Sequence, residues 1–203
     1  MKEEHKQILV KSLTITSQEV ERLRTSVNFE ELDMLLDAIL KRAETGNILL
    51  TGVGTSGVAA QKVVHSLRCQ QLPAHFLSPG DALHGAAGVV HSGDLLIVIS
   101  NGGNSHTVNK TAEIAKKRGA QVLAVTAQKT SELAQIADDI VLVRVENESD
   151  HAGLLATASI ICVIALFDAV SSVIMFERNF SKEGFSQIHP EGRVGFEISR
   201  TNE

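Results

Sequence analysis

The sequence predicts an α/β fold, a three-layer sandwich in which a five-stranded parallel sheet lies between two layers of helices. Short aliphatic segments alternate along the chain with longer segments of helical periodicity, which is typical of repeated β–α units. The strand segments are almost continuously apolar, as expected for strands buried on both faces. With 203 residues, of which 43% are hydrophobic and only 3% aromatic, the chain can form a large aliphatic core.

Two helices are predicted before the sheet, as an N-terminal helical arm over residues 1–45. Residues 2–26 carry apolar side chains at helical spacing. Asn28 is placed as the N-cap of a second helix that ends at Ala43, and Glu31 is placed to complete a capping box.

The α/β core is predicted over residues 46–180 and a C-terminal tail over 181–203, all within one domain. The expected strands are 47–51, 75–78, 94–100, 121–125 and 139–145. The expected helices are 56–70, a short helix from Asp81 to Ala87, 105–118, a short helix capped by Ser131 and ending at Ala137, and 153–177.

Residues 152–176 are apolar enough to raise the question of a membrane span, which needs about 20 apolar residues. Polar residues interrupt this segment, and Asp168 would be costly to place deep in lipid. We therefore expect no membrane partner, and a helix that is buried against the sheet or at a subunit interface. The second arrangement predicts a homo-oligomer, either a dimer or a tetramer.

Charge and composition exclude several other partners. A net charge of −5 and the absence of Trp and Tyr argue against a nucleic-acid surface. The N-terminus lacks the apolar segment of a secretory signal, and Cys69 and Cys162 lie in apolar helical contexts, as buried reduced thiols would. A cytoplasmic protein is expected. The histidines lack the spacing of metal ligands, so no metal and no cofactor are predicted.

Two turns rich in glycine and serine are the strongest functional signal. Gly52-Val-Gly-Thr-Ser-Gly57 and Ser100-Asn-Gly-Gly-Asn-Ser105 each follow an apolar strand and precede a helix. Glycine lets backbone N–H groups approach an oxyanion, serine adds hydroxyl donors, and a helix N-terminus favours negative charge. Together they predict a cradle for a phosphorylated small molecule. The candidate binding residues in the turns are Gly54, Thr55, Ser56, Ser100, Asn101, Asn104 and Ser105.

The first turn also matches the dinucleotide fingerprint G-x-G-x-x-G. A dinucleotide site needs an acidic residue about 20 positions later, and here none occurs before Asp81. The lysine of a nucleotide P-loop is absent as well. Two matched turns instead favour a single phosphate that is held by hydroxyl and amide donors.

These motifs resemble the SIS (sugar isomerase) domain family, and most closely its arabinose-5-phosphate isomerase type. The resemblance extends from about Asn47 to Gly195 and implies a flavodoxin-like, Rossmann-like fold that usually assembles into tetramers. Many members carry a pair of CBS domains after the SIS domain, and this chain stops short of them. The matching segments are the two turns, Asp81-Ala-Leu-His-Gly85, Gly153-Leu-Leu-Ala-Thr-Ala-Ser159, Phe167-Asp-Ala169 and Glu183-Gly-Phe-Ser-Gln-Ile-His-Pro-Glu-Gly-Arg-Val-Gly195.

The resemblance also implies roles for individual residues. Thr157 is expected to face the sugar phosphate together with Ser56, Ser100 and Ser105. Three catalytic candidates follow for aldose–ketose isomerisation, which moves a proton between adjacent carbons. His189 is expected to reach an active site at a subunit boundary and act as the base, Glu148 to orient it or shuttle protons, and His84 to polarise the carbonyl.

This chain departs from the isomerases at four positions. They carry Lys, Glu, Ser and Asp where it has Thr55, Asn104, Gly102 and Ala86. Two charged groups of the family's site are therefore missing. Two functions remain open: an aldose–ketose isomerase, and a phosphosugar-binding or regulatory module without catalysis. The candidates to replace a missing charged group are His106 and His151.

Overall fold

Five parallel strands form one sheet in the computed structural model, which describes residues 1–189. The strand order is β2-β1-β3-β4-β5, so the first strand lies inside the sheet, with β2 on one side of it and β3, β4 and β5 on the other. This confirms the predicted fold class, although several strands are shorter than expected. The strands are β1 Ile48–Thr51, β2 Ala74–Phe76, β3 Leu95–Ile99, β4 Gln121–Thr126 and β5 Asp139–Leu142.

Helices cover both faces of this sheet, because successive strand residues point to opposite sides. Leu50 and Ile97 pack into one cluster with α2, α3 and α7, while Leu49 and Leu96 pack into a second cluster with α4 and α5. A short 3₁₀ helix spans Ala86–Val89. The helices are α1 Glu3–Ser26, α2 Phe29–Thr45, α3 Gly54–Cys69, α4 Pro79–Ala82, α5 His106–Lys117, α6 Glu132–Ile136, α7 Ala158–Glu177 and α8 Lys182–Ile188.

The predicted helix caps are confirmed in part. The side chain of Asn28 accepts a hydrogen bond from the N–H of Glu30 at 2.9 Å, as expected of an N-cap. The prediction of a capping box is wrong, because Oε2 of Glu31 accepts a hydrogen bond from the N–H of Leu142 on the edge strand β5 at 2.7 Å. A sheet edge has N–H groups without strand partners, and Glu31 supplies an acceptor for one of them.

Two predicted helix starts are wrong. Ser78 rather than Asp81 caps α4, and its hydroxyl accepts from the N–H of Asp81 at 3.4 Å. The helix predicted from residue 153 begins at Ala158, because carboxylates bind the backbone N–H groups of the preceding loop. Asp150 alone accepts from the N–H groups of Ala152, Leu154 and Leu155.

Judged by length and composition alone, helix α7 is long and apolar enough to cross a membrane. Of its most hydrophobic stretch of 18 residues, 44% is buried inside the structure. A single helix of this kind is weak evidence, since the core helix of a globular protein has the same composition. Its inner face, which includes Cys162 and Phe167, packs in the core. Ile161, Val173 and Phe176 on the same helix remain exposed.

The two cysteines differ in their surroundings. Cys162 is fully buried, and burial raises the pKa of its thiol to about 11, so that it is protonated near neutral pH. Cys69 was also expected to be buried, but it lies in the last turn of α3 and is only half-buried. Its sulfur lies 3.6 Å from Nε2 of His65.

The contact between Glu31 and β5 gives a first prediction. Replacing Glu31 with Ala removes the acceptor of the Leu142 N–H, and we expect the free energy of unfolding to fall by about 1–2 kcal/mol in urea denaturation. Glu30→Ala is the matched control, since both glutamates lie in the first turn of α2 and share the interaction with its dipole. Equal losses in the two variants would show that the Leu142 contact adds nothing.

Candidate functional site

The first glycine turn packs tightly against the end of β3. The register pairs Thr51 with Val98, so β1 and β3 end side by side at the carboxyl edge of the sheet. A Cβ atom on Gly52 would lie 3.0 Å from the carbonyl oxygen of Ile99, and one on Gly57 would lie 2.8 Å from the carbonyl oxygen of Gly52. Only glycine fits at these two positions, and α3 therefore begins directly above the sheet edge.

The N-terminus of α3 is arranged to bind an anion. The helix begins at Gly54, earlier than predicted, so Thr55 and Ser56 belong to its first turn. Its N-cap is Val53, which has no side-chain acceptor for the backbone N–H groups of that turn. Such N–H groups, together with the positive end of the helix dipole, are a common phosphate-binding feature.

The second turn is fixed by hydrogen bonds to its own residues and to its neighbours. The hydroxyl of Ser100 accepts from the N–H of Gly103 at 3.2 Å. The carbonyl of Asn101 accepts from the N–H of Ala127 at 3.0 Å, and Oδ1 of Asn104 accepts from the first N–H of α6 at 3.1 Å. Asn104 therefore commits its carbonyl oxygen to the fold and keeps its amide N–H groups as donors.

Ser105 is the N-cap of α5, and its hydroxyl makes no capping hydrogen bond to that helix. The hydroxyl remains available to a ligand at the end of the second turn. His106, the first residue of α5, is exposed beside it. His151 lies elsewhere, in a groove between α1 and the loop that follows β5.

The turns meet at a small cavity with both polar and apolar walls. Its volume is about 20 Å³, enough for one water molecule, so a sugar phosphate would bind over it rather than inside it. Ser159 was not singled out from the sequence as a binding residue, yet it is buried and lines this cavity. The residues that line the cavity are Ser56, Ile99, Asn101, Val125, Thr126, Val143, Ala156, Ser159, Ile160 and Val163.

Glu148 and Thr157 form a hydrogen-bonded pair at the N-terminus of α7. Oε2 of Glu148 accepts from the N–H of Thr157 at 2.9 Å, from its hydroxyl at 3.1 Å and from the N–H of Ser159 at 3.1 Å. Burial raises the pKa of Glu148, but the hydroxyl of Ser159 and the hydrogen bonds from the Ser159 N–H and from Thr157 lower it more, so the pKa lies below its ordinary value. Glu148 is thus a fixed anion at neutral pH. Within residues 1–189, no hydrogen bond to its Oε1 is found.

His84 and Glu148 lie on different sides of the sheet edge. His84 is exposed and follows α4, after the edge strand β2, whereas Glu148 follows β5, the strand at the opposite edge. Helix α4 packs with α5 on one face of the sheet, whereas α7, whose N-terminus Glu148 binds, packs on the other face. The structure of one chain does not bring the two residues together.

His189 lies away from the cavity of its own chain. It follows α8, which is tethered by a 3.0 Å hydrogen bond from Nε2 of Gln71 to the carbonyl of Gly184. Gln71 lies between α3 and β2, at the amino edge of the sheet. The ring of His189 stacks on that of Phe185 at 4.9 Å between centroids. The part of its sequence motif that begins at residue 190 lies outside the described residues.

The two glycines in the middle of the second turn provide a matched test of this geometry. Gly103 has a φ of +65°, and a Cβ on it would lie 2.2 Å from Oγ of Ser131. We expect Gly103→Ala to lower the free energy of unfolding by about 2–4 kcal/mol in urea denaturation. A Cβ on Gly102 would have no atom within 4 Å, so Gly102→Ala is expected to change the free energy of unfolding little. Comparable losses would mean that the turn is not fixed as described.

The lowered pKa of Glu148 predicts a pH dependence of stability. An ionised Glu148 stabilises the fold fully above the ordinary pKa of a glutamate, and this contribution is lost as the pH falls through its lower folded-state pKa. The free energy of unfolding of Glu148→Gln should therefore be about 1–2 kcal/mol lower than that of the unsubstituted protein at pH 7. This difference in unfolding free energy should narrow from pH 6 to about pH 3.5.

Denaturation curves over this pH range check the prediction. Glu44→Gln, at an exposed position near the end of α2, serves as the control. The difference in unfolding free energy between this variant and the unsubstituted protein should not narrow in the same way. A loss in Glu148→Gln that stays constant down to pH 3.5 would contradict the role of the carboxylate charge.

Comparison with known proteins agrees with this architecture. A model of the SIS domain matches residues 41–171. The "Probable arabinose 5-phosphate isomerase" of Haemophilus influenzae is 33% identical over 82% of this chain and 49% of its own length. Arabinose 5-phosphate isomerase KdsD of Francisella tularensis is 28% identical over 92% of this chain and 57% of its own. The chain spans about half the length of these curated relatives.

Solved structures match over almost the whole chain. A "putative sugar-phosphate isomerase" from Listeria monocytogenes is 39% identical, with a TM-score of 0.89 over 94% of this chain and 100% of the other. The Escherichia coli CFT073 protein c3406, solved in complex with arabinose 5-phosphate, is 27% identical with a TM-score of 0.85, over 94% and 100%. With the family match over residues 41–171, these findings show that the chain belongs to the SIS domain family.

Proposed function

We propose that this chain binds a sugar phosphate at the carboxyl edge of its sheet and interconverts its aldose and ketose forms, with arabinose 5-phosphate as the first substrate to test. One observation carries the proposal: two Gly/Ser turns end the adjacent strands β1 and β3, and the N-terminus of α3 has no side-chain cap. The names of the relatives from H. influenzae and F. tularensis support this choice of substrate.

The phosphate is assigned to the turns, where it serves as a handle that fixes the reacting carbons. Its donors are the backbone N–H groups of the first turn of α3 and the hydroxyls of Ser56, Ser100 and Ser105. Thr157 is a weaker candidate, because its hydroxyl already donates to Glu148 and accepts from the N–H of Ser149 at 2.8 Å. The hydroxyl of Ser159, which lines the cavity, is a further candidate.

The proton transfer needs a base whose pKa lies near neutrality. The lowered pKa of Glu148 makes it a weak base, and its Oε1 is better suited to accept a hydrogen bond from a sugar hydroxyl. Histidine is the residue type that suits the base role, and His189 remains the candidate for it. His84 is the candidate that polarises the carbonyl.

The base then comes from a second copy of the chain. His189 lies by the amino edge of its own sheet, so it can act only in the site of another subunit. Apolar side chains on α7 support an oligomer, since Ile161, Val173 and Phe176 are 42%, 43% and 80% exposed. Apolar groups exposed together on one helix are typical of subunit contacts.

The second candidate function is a phosphosugar-binding module without catalysis. It is favoured by Thr55 and Asn104, which carry no charge where the isomerases have Lys and Glu. The carbonyl oxygen of Asn104 is in addition held by the N–H of Glu132, at 3.1 Å. Neither residue can abstract a proton from a sugar.

Hydrogen exchange in deuterated water separates the two functions. The protein is incubated with arabinose 5-phosphate and, separately, with fructose 6-phosphate, and NMR follows deuterium at C1 and C2 together with product. An isomerase incorporates deuterium and forms product, and we expect His189→Ala to reduce the rate by about 10²–10⁴-fold. His91→Ala is the control, because the side chain of His91 is 70% exposed in a loop away from the site.

The outcomes differ clearly. Thermal stabilisation by either sugar phosphate without any exchange would favour the binding module over the isomerase. The proposed site would be contradicted if both sugar phosphates left the protein without thermal stabilisation and without hydrogen exchange. Equal activity of His189→Ala and His91→Ala would remove His189 from the mechanism.

A further inference from the structure

A buried glutamate on α1 contacts the loop that carries Glu148. Glu19 is only 1% exposed. Its Oε2 accepts from the backbone N–H of Glu146 at 3.1 Å, and its Oε1 accepts from the backbone N–H of Asn147 at 3.0 Å. A buried carboxylate is strongly destabilising unless it is paired, so these contacts account for its burial.

Arg22 completes this arrangement on the next turn of α1. Its Nε lies 3.4 Å from Oε2 of Glu19, and its guanidinium also pairs with the side chain of Glu146. The main chain of residues 146 and 147 is therefore attached to α1 by both oxygens of one carboxylate and by a neighbouring ion pair.

The residue that follows these two amides is Glu148, whose own carboxylate binds the N-terminus of α7. The loop after β5 is thus held at two points: its main chain is held by Glu19 of α1, and the side chain of Glu148 is held by Thr157 and Ser159. With both points fixed, the direction in which Oε1 of Glu148 points is also fixed.

We propose that Glu19 is a positioning residue, which acts through the loop at residues 146–148 to hold the carboxylate of Glu148 in place for the sugar. This rests on the proposed function, because it assigns Glu148 a contact with the substrate. A displacement of about 1 Å in a positioned group can reduce a rate by about 10²-fold. Helix α1 then belongs to the support of the site rather than to a separate arm.

Glu19→Gln tests the proposal, with Glu21→Gln as the matched control. Both changes neutralise a glutamate on α1, but Glu21 is exposed and pairs only with Arg24 among the described residues. Gln keeps the size of Glu19 and places an NH₂ group against one of the two backbone N–H groups. We expect kcat on arabinose 5-phosphate to fall about 10–100-fold with KM changed less than about threefold, because orientation and not binding is lost.

Amide hydrogen exchange gives a readout that does not need turnover. In Glu19→Gln, the amides of Glu146 and Asn147 should exchange at least about tenfold faster than in the unsubstituted protein, while strand amides of β3 keep their protection. Glu21→Gln should leave both amides and kcat unchanged. Glu19→Asp, which keeps the charge on a shorter side chain, should recover part of kcat, and it serves if Glu19→Gln fails to fold.

The results separate this proposal from the proposed function. If the unsubstituted protein turns over no sugar phosphate, the isomerase fails, and the exchange rates alone decide whether Glu19 holds the loop. Unchanged protection of Glu146 and Asn147 in Glu19→Gln would overturn the proposal. A fall in kcat that is matched by Glu21→Gln, or a rise in KM with kcat intact, would overturn it as well.

Discussion

The close approach of the first glycine turn to the end of β3 is the constraint on which the site depends. Without side chains at Gly52 and Gly57, the chain turns within two residues of the end of β1, and α3 starts beside the carbonyl of Ile99. This places the N–H groups of one helix next to the hydroxyls of the second turn. A Cβ at either glycine would push α3 away and separate the two halves of the cradle.

The cradle differs from the isomerase pattern in its charge. With Thr55 and Asn104 in place of Lys and Glu, the turns offer dipoles and hydroxyls but no ionised side chain. Such donors can hold a phosphate, because the helix dipole and the free N–H groups supply the attraction. Acid–base groups must then come from outside the turns. Glu148 is one such group, and it is held through α1 and α7.

The sequence predicts the sheet and the turns well because local patterns determine them. Aliphatic runs mark the strands, glycines mark the turns, and the cap at Asn28 involves a residue only two positions away. The capping-box error arises because Glu31 finds a distant partner, Leu142, over 111 positions, whereas the start of α7 is displaced by local contacts of Asp150. Glu19 was missed for the same reason as the Glu31 contact, since its contact with Glu146 spans 127 positions. No local signal reveals such pairs. The role proposed for His189 requires a neighbouring subunit, which one sequence does not place.

A crystal structure of the complex with arabinose 5-phosphate tests the central claim most directly. We predict that the phosphate lies at the N-terminus of α3, within hydrogen-bond distance of its first N–H groups and of the hydroxyls of Ser56 and Ser100. A sugar phosphate bound elsewhere on the protein, with these two turns left empty at saturating ligand, would contradict it.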